Sequence, residues 1–126
     1  MRKEAEDWLS QALAELKTAK DCLDSENFYA TAFHAQQSFE LALKAYYIDT
    51  QRKMPPKSHN LIGLVEELNL TQFLEIAREF APVYMVSRYP DAAGGAPFRF
   101  YDRKKGVFLL KNAEEVVLWI KKSLCN

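Results

Sequence analysis

Residues Phe33 to Lys44 read FHAQQSFELALK, and the spacing of their side chains predicts a helix with two unlike faces. On a 3.6-residue turn Ala32, Ala35, Phe39, Ala42 and Tyr46 form an apolar stripe, while Gln36, Glu40 and Lys44 line one edge with Gln37 beside them. The pattern extends from about Phe28 to Asp49. The polar edge has two readings. Glu40 four residues before Lys44 is the favoured order for an ion pair on a solvated helix face. Alternatively, because Phe33, Phe39, Leu41 and Leu43 leave little of the helix free for water, the edge lies at an interface or lines a cleft.

Working outward, Trp8, Ala12, Leu16, Ala19 and Leu23 recur every three or four residues, widened by Leu9 and Leu13, which predicts a preceding helix from Glu4 to Leu23. Asp24, Ser25 and Asn27 supply turn and capping chemistry between the two. After the central helix, QRKMPPK at 51–57 is a connector, since Pro55 and Pro56 lack N–H donors and push their neighbours out of helical geometry. Ser58 is placed to cap a short helix carrying Leu61, Ile62, Leu64, Val65 and Leu68. Asn69 or Thr71 is placed to cap another through Phe73, Leu74, Ala77 and Phe80, which Pro82 kinks rather than ends. Pro90 stops it near Arg88 and opens an irregular segment, PDAAGGAPFRFYD. A last helix from Arg103 to Leu124 brings Leu110, Ala113, Val117, Ile120 and Leu124 to one face. Helices joined by short connections predict an all-α fold, an antiparallel up-down bundle of four long helices plus one short helix, as a single domain over residues 1–126.

Composition agrees with a folded globular chain. Of 126 residues, 48% are apolar and 27% charged, far from the composition of disorder. Seventeen basic and seventeen acidic residues cancel, so any contact with RNA or a nucleotide has to be local rather than carried by a global positive field. MRKEAEDWLSQ has charges where a leader peptide needs an apolar core, and no apolar run reaches the length of a membrane span. A cytoplasmic protein is expected. Cys22 and Cys125 lie near opposite ends without metal or redox spacing, and are expected to be reduced thiols.

Among residues able to carry chemistry, Arg88 stands where a helix meets a proline and a loop. Its guanidinium is suited to a carboxylate or phosphate, or to an internal ion pair with Glu40 or Asp91. His34 and His59 have no acidic or cysteine neighbour at metal-ligand spacing, so no metal or other cofactor is expected, and His59, between Ser58 and Asn60, serves on the plainer reading to complete the start of the short helix. Gly94 and Gly95 lack the strand-turn-helix context of a phosphate loop and read as a loop tip.

Taken in order, FHAQQSFELALKAYY, PPKSHNLIGLVEEL and YMVSRYPDA between two amphipathic helices resemble the HEPN domain, over roughly Ala5 to Leu124. The resemblance implies a helical bundle that dimerises, often beside a minimal nucleotidyltransferase, with some members proposed to bind nucleotides and others acting as ribonuclease toxins of toxin-antitoxin pairs. It implies Gln36, Gln37, Glu40, Lys44, His59, Arg88, Tyr89, Pro90 and Asp91 as the matching positions for ligand or partner binding. The nuclease branch uses an Arg followed after a short polar spacer by a His. Here no histidine follows His59, and Arg52 with His59 meets the spacing only across Pro55 and Pro56. His59, Arg88 and Arg52 are therefore weak catalytic candidates. The expected function is that of a noncatalytic or weakly catalytic homodimeric partner of a nucleotidyltransferase with a nucleotide-facing surface, with a metal-independent ribonuclease toxin as the alternative and a purely scaffolding dimer as the third reading.

Overall fold

The computed structural model of the chain describes residues 1–125. Among these residues the regular structure is entirely helical. Three long helices dominate: α1 (Lys3–Asp24), α2 (Phe28–Gln51) and α7 (Arg103–Leu124). Between α2 and α7 lie four shorter ones, α3 (Leu61–Glu67), α4 (Leu74–Phe80), α5 (Val83–Val86) and α6 (Pro90–Ala93), with single 3-10 turns at Thr71–Phe73 and Pro97–Phe100.

Pair contacts give the direction of each leg. The α1–α2 hairpin is pinned near one end by Arg2 N–H donating to Asp49 and midway by His34 on Glu15. The leg from Phe73 to Arg88 runs back along α2, since Phe80 packs edge-on against Phe39 and Arg88 reaches Phe33. Then α7 runs alongside α2 in the same direction: Gly106 sits by Phe28 and Thr31, and Trp119 by Tyr46. Gly106 is buried there, the position of a Cβ on it lying 3.4 Å from Leu23 Cδ1 and 3.7 Å from Phe28 and Thr31, so the first turn of α7 rests on the α1–α2 turn. The up-down order of the legs is the expected one.

The third leg departs from the expected long helix. Asn69 does not cap a new helix; with φ +58° it ends α3, Leu70 N–H reaching Val65 O and Asn69 N–H reaching Glu66 O in a Schellman closure. The leg then restarts through a 3-10 turn as α4. At Ala81 and Pro82 the backbone stays near helical values, so the proline separates α4 from α5 without turning the chain away. Asn60 rather than Ser58 caps α3, its side chain accepting from Gly63 N–H at 3.0 Å. The segment after Arg88 is also more ordered than expected, with Pro90 at the first position of α6, where its missing N–H costs nothing.

Helix α2 is the centre of the bundle. Thirteen of its residues are buried, including Ala32, Ala35, Phe39, Ala42 and Leu43 with no exposed surface. Around it Leu9, Ala12 and Leu16 of α1, Leu109, Val117 and Ile120 of α7, and Leu64, Val65, Phe73 and Phe80 of the third leg complete one hydrophobic core. Among the described residues no helix is long and apolar enough to cross a membrane.

Candidate functional site

Because α2 is surrounded on nearly every side, its polar edge has nowhere to face water. Gln36, Glu40 and Lys44 are 0%, 4% and 6% exposed, which excludes the solvated-edge reading. Buried polar groups need partners, and here they find each other. Glu40 Oε1 accepts from Gln36 Nε2 at 3.0 Å and Oε2 accepts from Lys44 Nζ at 3.0 Å. Gln37 Nε2 donates to Gln36 Oε1 at 2.9 Å, extending the chain of bonds toward the surface. Among the described residues no buried side-chain nitrogen or oxygen is left without a partner.

The third donor to Glu40 comes from the connector. His59 Nδ1 lies 3.0 Å from both carboxylate oxygens, and since a carboxylate oxygen can only accept, Nδ1 carries the proton. In the neutral ring the other nitrogen, Nε2, then has a free lone pair. His59 is half-exposed at its side chain, 49%, so it presents Nε2 at the surface while Glu40 holds the ring from behind. His59 thus does more than complete the start of α3; Ser58 and Asn60 do that, the Ser58 hydroxyl accepting from Asn60 N–H.

Tyr84 stacks on His59 with ring centres 3.9 Å apart, and Arg88, one turn on, lays its guanidinium between Tyr84 and Phe33 at 3.9 Å from each. Its Nη1 donates to Tyr84 O at 2.6 Å. Of the two readings of Arg88, the internal ion pair with Glu40 or Asp91 is not formed; the sandwich orients the plane of donors and leaves others of its five N–H groups for a ligand. Burial pulls the Arg88 pKa below its usual value, against the pull of Tyr84, Tyr89, Glu40 and Glu15 in the other direction. On the far side of Phe33, His34 Nδ1 meets Glu15 Oε2 at 2.6 Å, a second carboxylate-held histidine across the α1–α2 seam.

Thus Gln36, Gln37, Glu40, Lys44, His59 and Arg88 come together in one continuous cluster. Tyr89, Pro90 and Asp91 do not join it: Tyr89 precedes α6, Pro90 and Asp91 form its first turn, and all three are exposed. Arg52 is also apart. It ends α2 in a left-handed conformation and lines a surface pocket with Arg2, Glu4 and Met54. Sequence reasoning missed Tyr84, Phe33 and Glu15 as site residues. Tyr84 has an available signal, since it stands four residues before Arg88 on one helical face.

The arrangement can do two things chemically. It offers an imidazole nitrogen with its partner nitrogen fixed by a buried carboxylate, the form in which histidine serves as a base or a hydrogen-bond acceptor. It offers a pre-oriented guanidinium for an anion. Among the described residues no three histidine, cysteine or acidic side chains are placed to hold a metal ion.

The HEPN domain family model matches residues 5–124 of the chain. The crystal structure of TT1696 from Thermus thermophilus is similar with a TM-score of 0.86 at 28% identity, covering 96% of this chain and 98% of that one. That of ST0689, an archaeal HEPN homologue, has a TM-score of 0.80 at 26% identity and covers 98% of each chain. None of the curated proteins matches significantly. With a family match spanning nearly the whole sequence and two such structures, the chain belongs to the HEPN domain family.

Proposed function

We propose that this HEPN protein is the homodimeric partner of a minimal nucleotidyltransferase and contributes a nucleotide-facing surface at His59 and Arg88. The observation that carries the reading is His59 held through Nδ1 by the buried Glu40, its Nε2 left open beside the stacked Arg88. A surface built only for packing has no need of a carboxylate buried behind a half-exposed histidine. A nucleotide does: its phosphate takes charge-assisted bonds from the guanidinium, and a ribose hydroxyl can donate to Nε2. The test is co-purification with a nucleotidyltransferase encoded beside it, together with calorimetric titration of nucleoside monophosphates. Co-purification, with millimolar binding lost in Arg88→Ala, supports the reading; a stable dimer that takes neither partner nor nucleotide overturns it.

The same histidine supports the alternative of a metal-independent ribonuclease. A base at Nε2 would take the proton of a ribose 2′-hydroxyl as its oxygen bonds to the adjacent phosphorus and the bond to the 5′-oxygen breaks, the imidazolium returning the proton to that leaving oxygen and a 2′,3′-cyclic phosphate remaining, with Arg88 steadying the charge that develops on the phosphate oxygens. Cleavage of single-stranded RNA that is lost in His59→Ala but kept in His34→Ala favours this reading. Equal cleavage by wild type and His59→Ala removes it.

A further inference from the structure

The end of the bundle away from Arg88 carries a separate group of cations, two of them where the local backbone does not favour them. Arg52 closes α2 with φ +60°, the left-handed region whose ordinary occupants are glycine and asparagine, so its side chain is kept at a backbone cost. Arg2 stands immediately before the first turn of α1, where the helix dipole disfavours a cation, and its side chain makes no capping bond. Lys53 follows Arg52 in the connector. Among the described residues none of these three is in an ion pair, whereas Lys3, beside Arg2, is paired with Asp7.

Arg2, Arg52 and Lys53 meet around one hollow of about 210 Å³ between the start of α1 and the end of α2. Ile48, 3% exposed, and Met54, 60% exposed, give it an apolar side, and Glu4 is the one acid that lines it. Glu4 has a reason of its own to be there, since a carboxylate in the first turn of α1 suits the helix dipole. The backbone around the hollow is tied down. Arg2 N–H donates to Asp49 at 2.8 Å, Arg52 N–H donates to Ile48 O at 3.1 Å, and Pro55, just beyond Met54, is buried. At the rise of an α-helix the hollow lies roughly 25 Å along α2 from Phe33, where Arg88 rests.

We propose that this hollow binds a phosphate monoester on a short carbon stem, its phosphate held by Arg2, Arg52 and Lys53 and its stem laid against Ile48 and Met54. Three cations against one carboxylate leave a surplus of two charges, which a phosphate dianion balances and a carboxylate does not. Two guanidinium groups also offer paired donors in a plane, the geometry that phosphate oxygens accept. The hollow is smaller than the roughly 300–1,000 Å³ of sites for drug-sized ligands, which favours a short stem over a nucleoside. The same chemical group exists free, as glycerol 3-phosphate, and at a lipid surface, as phosphatidic acid. Met1 and Met54, each next in sequence to one of the cations, are 48% and 60% exposed and would enter the lipid in the second case. The site uses neither His59 nor Arg88, so it stands or fails apart from the nucleotidyltransferase reading.

The experiment is a proton–nitrogen NMR titration of the full chain with glycerol 3-phosphate, beside co-sedimentation with phosphatidylcholine vesicles that contain or lack phosphatidic acid. Saturable shifts are expected at the amides of Arg2, Ile48, Arg52 and Lys53, with acetate binding about tenfold more weakly. Arg52→Gly, which suits the left-handed backbone, combined with Lys53→Gln is expected to weaken binding about tenfold, while Arg88→Ala leaves it unchanged. Co-sedimentation only with phosphatidic acid, lost in Met54→Gln, supports the site with a lipid as its source; saturable binding of glycerol 3-phosphate without co-sedimentation supports it with a free ligand. Binding of neither, binding that Arg52→Gly/Lys53→Gln leaves as in wild type, or acetate bound as tightly as glycerol 3-phosphate overturns the proposal.

Discussion

At Glu40 two carboxylate oxygens answer three donors, Gln36, Lys44 and His59, with almost no water in reach. Glu40→Gln keeps the shape but turns one acceptor into a donor and leaves the Lys44 cation buried without its counter-charge. A loss of about 3 kcal/mol is expected in urea denaturation. Adding Lys44→Met removes that orphaned charge, so the double variant should recover part of the loss; a double variant no more stable than Glu40→Gln would contradict the pairing. Tyr101 gives a second prediction. Its phenol is buried by the start of α7, and burial pushes its pKa up to about 12. The folded state thus holds this proton more tightly than the unfolded chain, whose tyrosines titrate near 10. The stabilisation is complete below pH 10 and is lost as pH rises from about 10 to about 12. Ultraviolet titration should show a late-ionising tyrosine signal that disappears in Tyr101→Phe.

At the scale of elements, the helices with long unbroken periodicity were legible from the residues alone. Helix α7 begins and ends at the expected residues, and α1 and α2 differ by only one or two at their ends. The third leg was harder because its punctuation is ambiguous. Asn69 can start a helix with its side chain or end one with a positive φ, and only the packing of Leu68 and Leu70 into the core selects the second. The same competition decides α3, where Asn60 wins the cap because Gly63 leaves room for its side chain; a Cβ there would lie 2.8 Å from Asn60 Nδ2. Gly63→Ala, normally a gain inside a helix, should therefore cost stability, by about the 1 kcal/mol lost in Asn60→Ala. Thermal melts of the two variants check this, and a Gly63→Ala protein more stable than wild type would contradict it.

Across the whole molecule, the polar residues of α2 announced themselves by type and spacing, but what they face did not. Both carboxylate–histidine pairs join residues nineteen apart on different segments, and the proline connector that brings His59 back onto α2 has no periodic signature. Arg88 illustrates the same limit: its charge suggested an ion pair or a ligand contact, while the rings of Phe33 and Tyr84, read from sequence as packing, hold it in place. The fold thus converts an internal polar strip into one outward-facing nitrogen and one oriented guanidinium. The most direct test is long-range proton–nitrogen NMR of the two histidines during titration with a nucleoside monophosphate. His59 is expected as the Nδ1–H tautomer in the free protein, with a shift of its Nε2 resonance at millimolar ligand and His34 unmoved. A His59 found as the Nε2–H tautomer, or a spectrum that the nucleotide leaves unchanged, would contradict it.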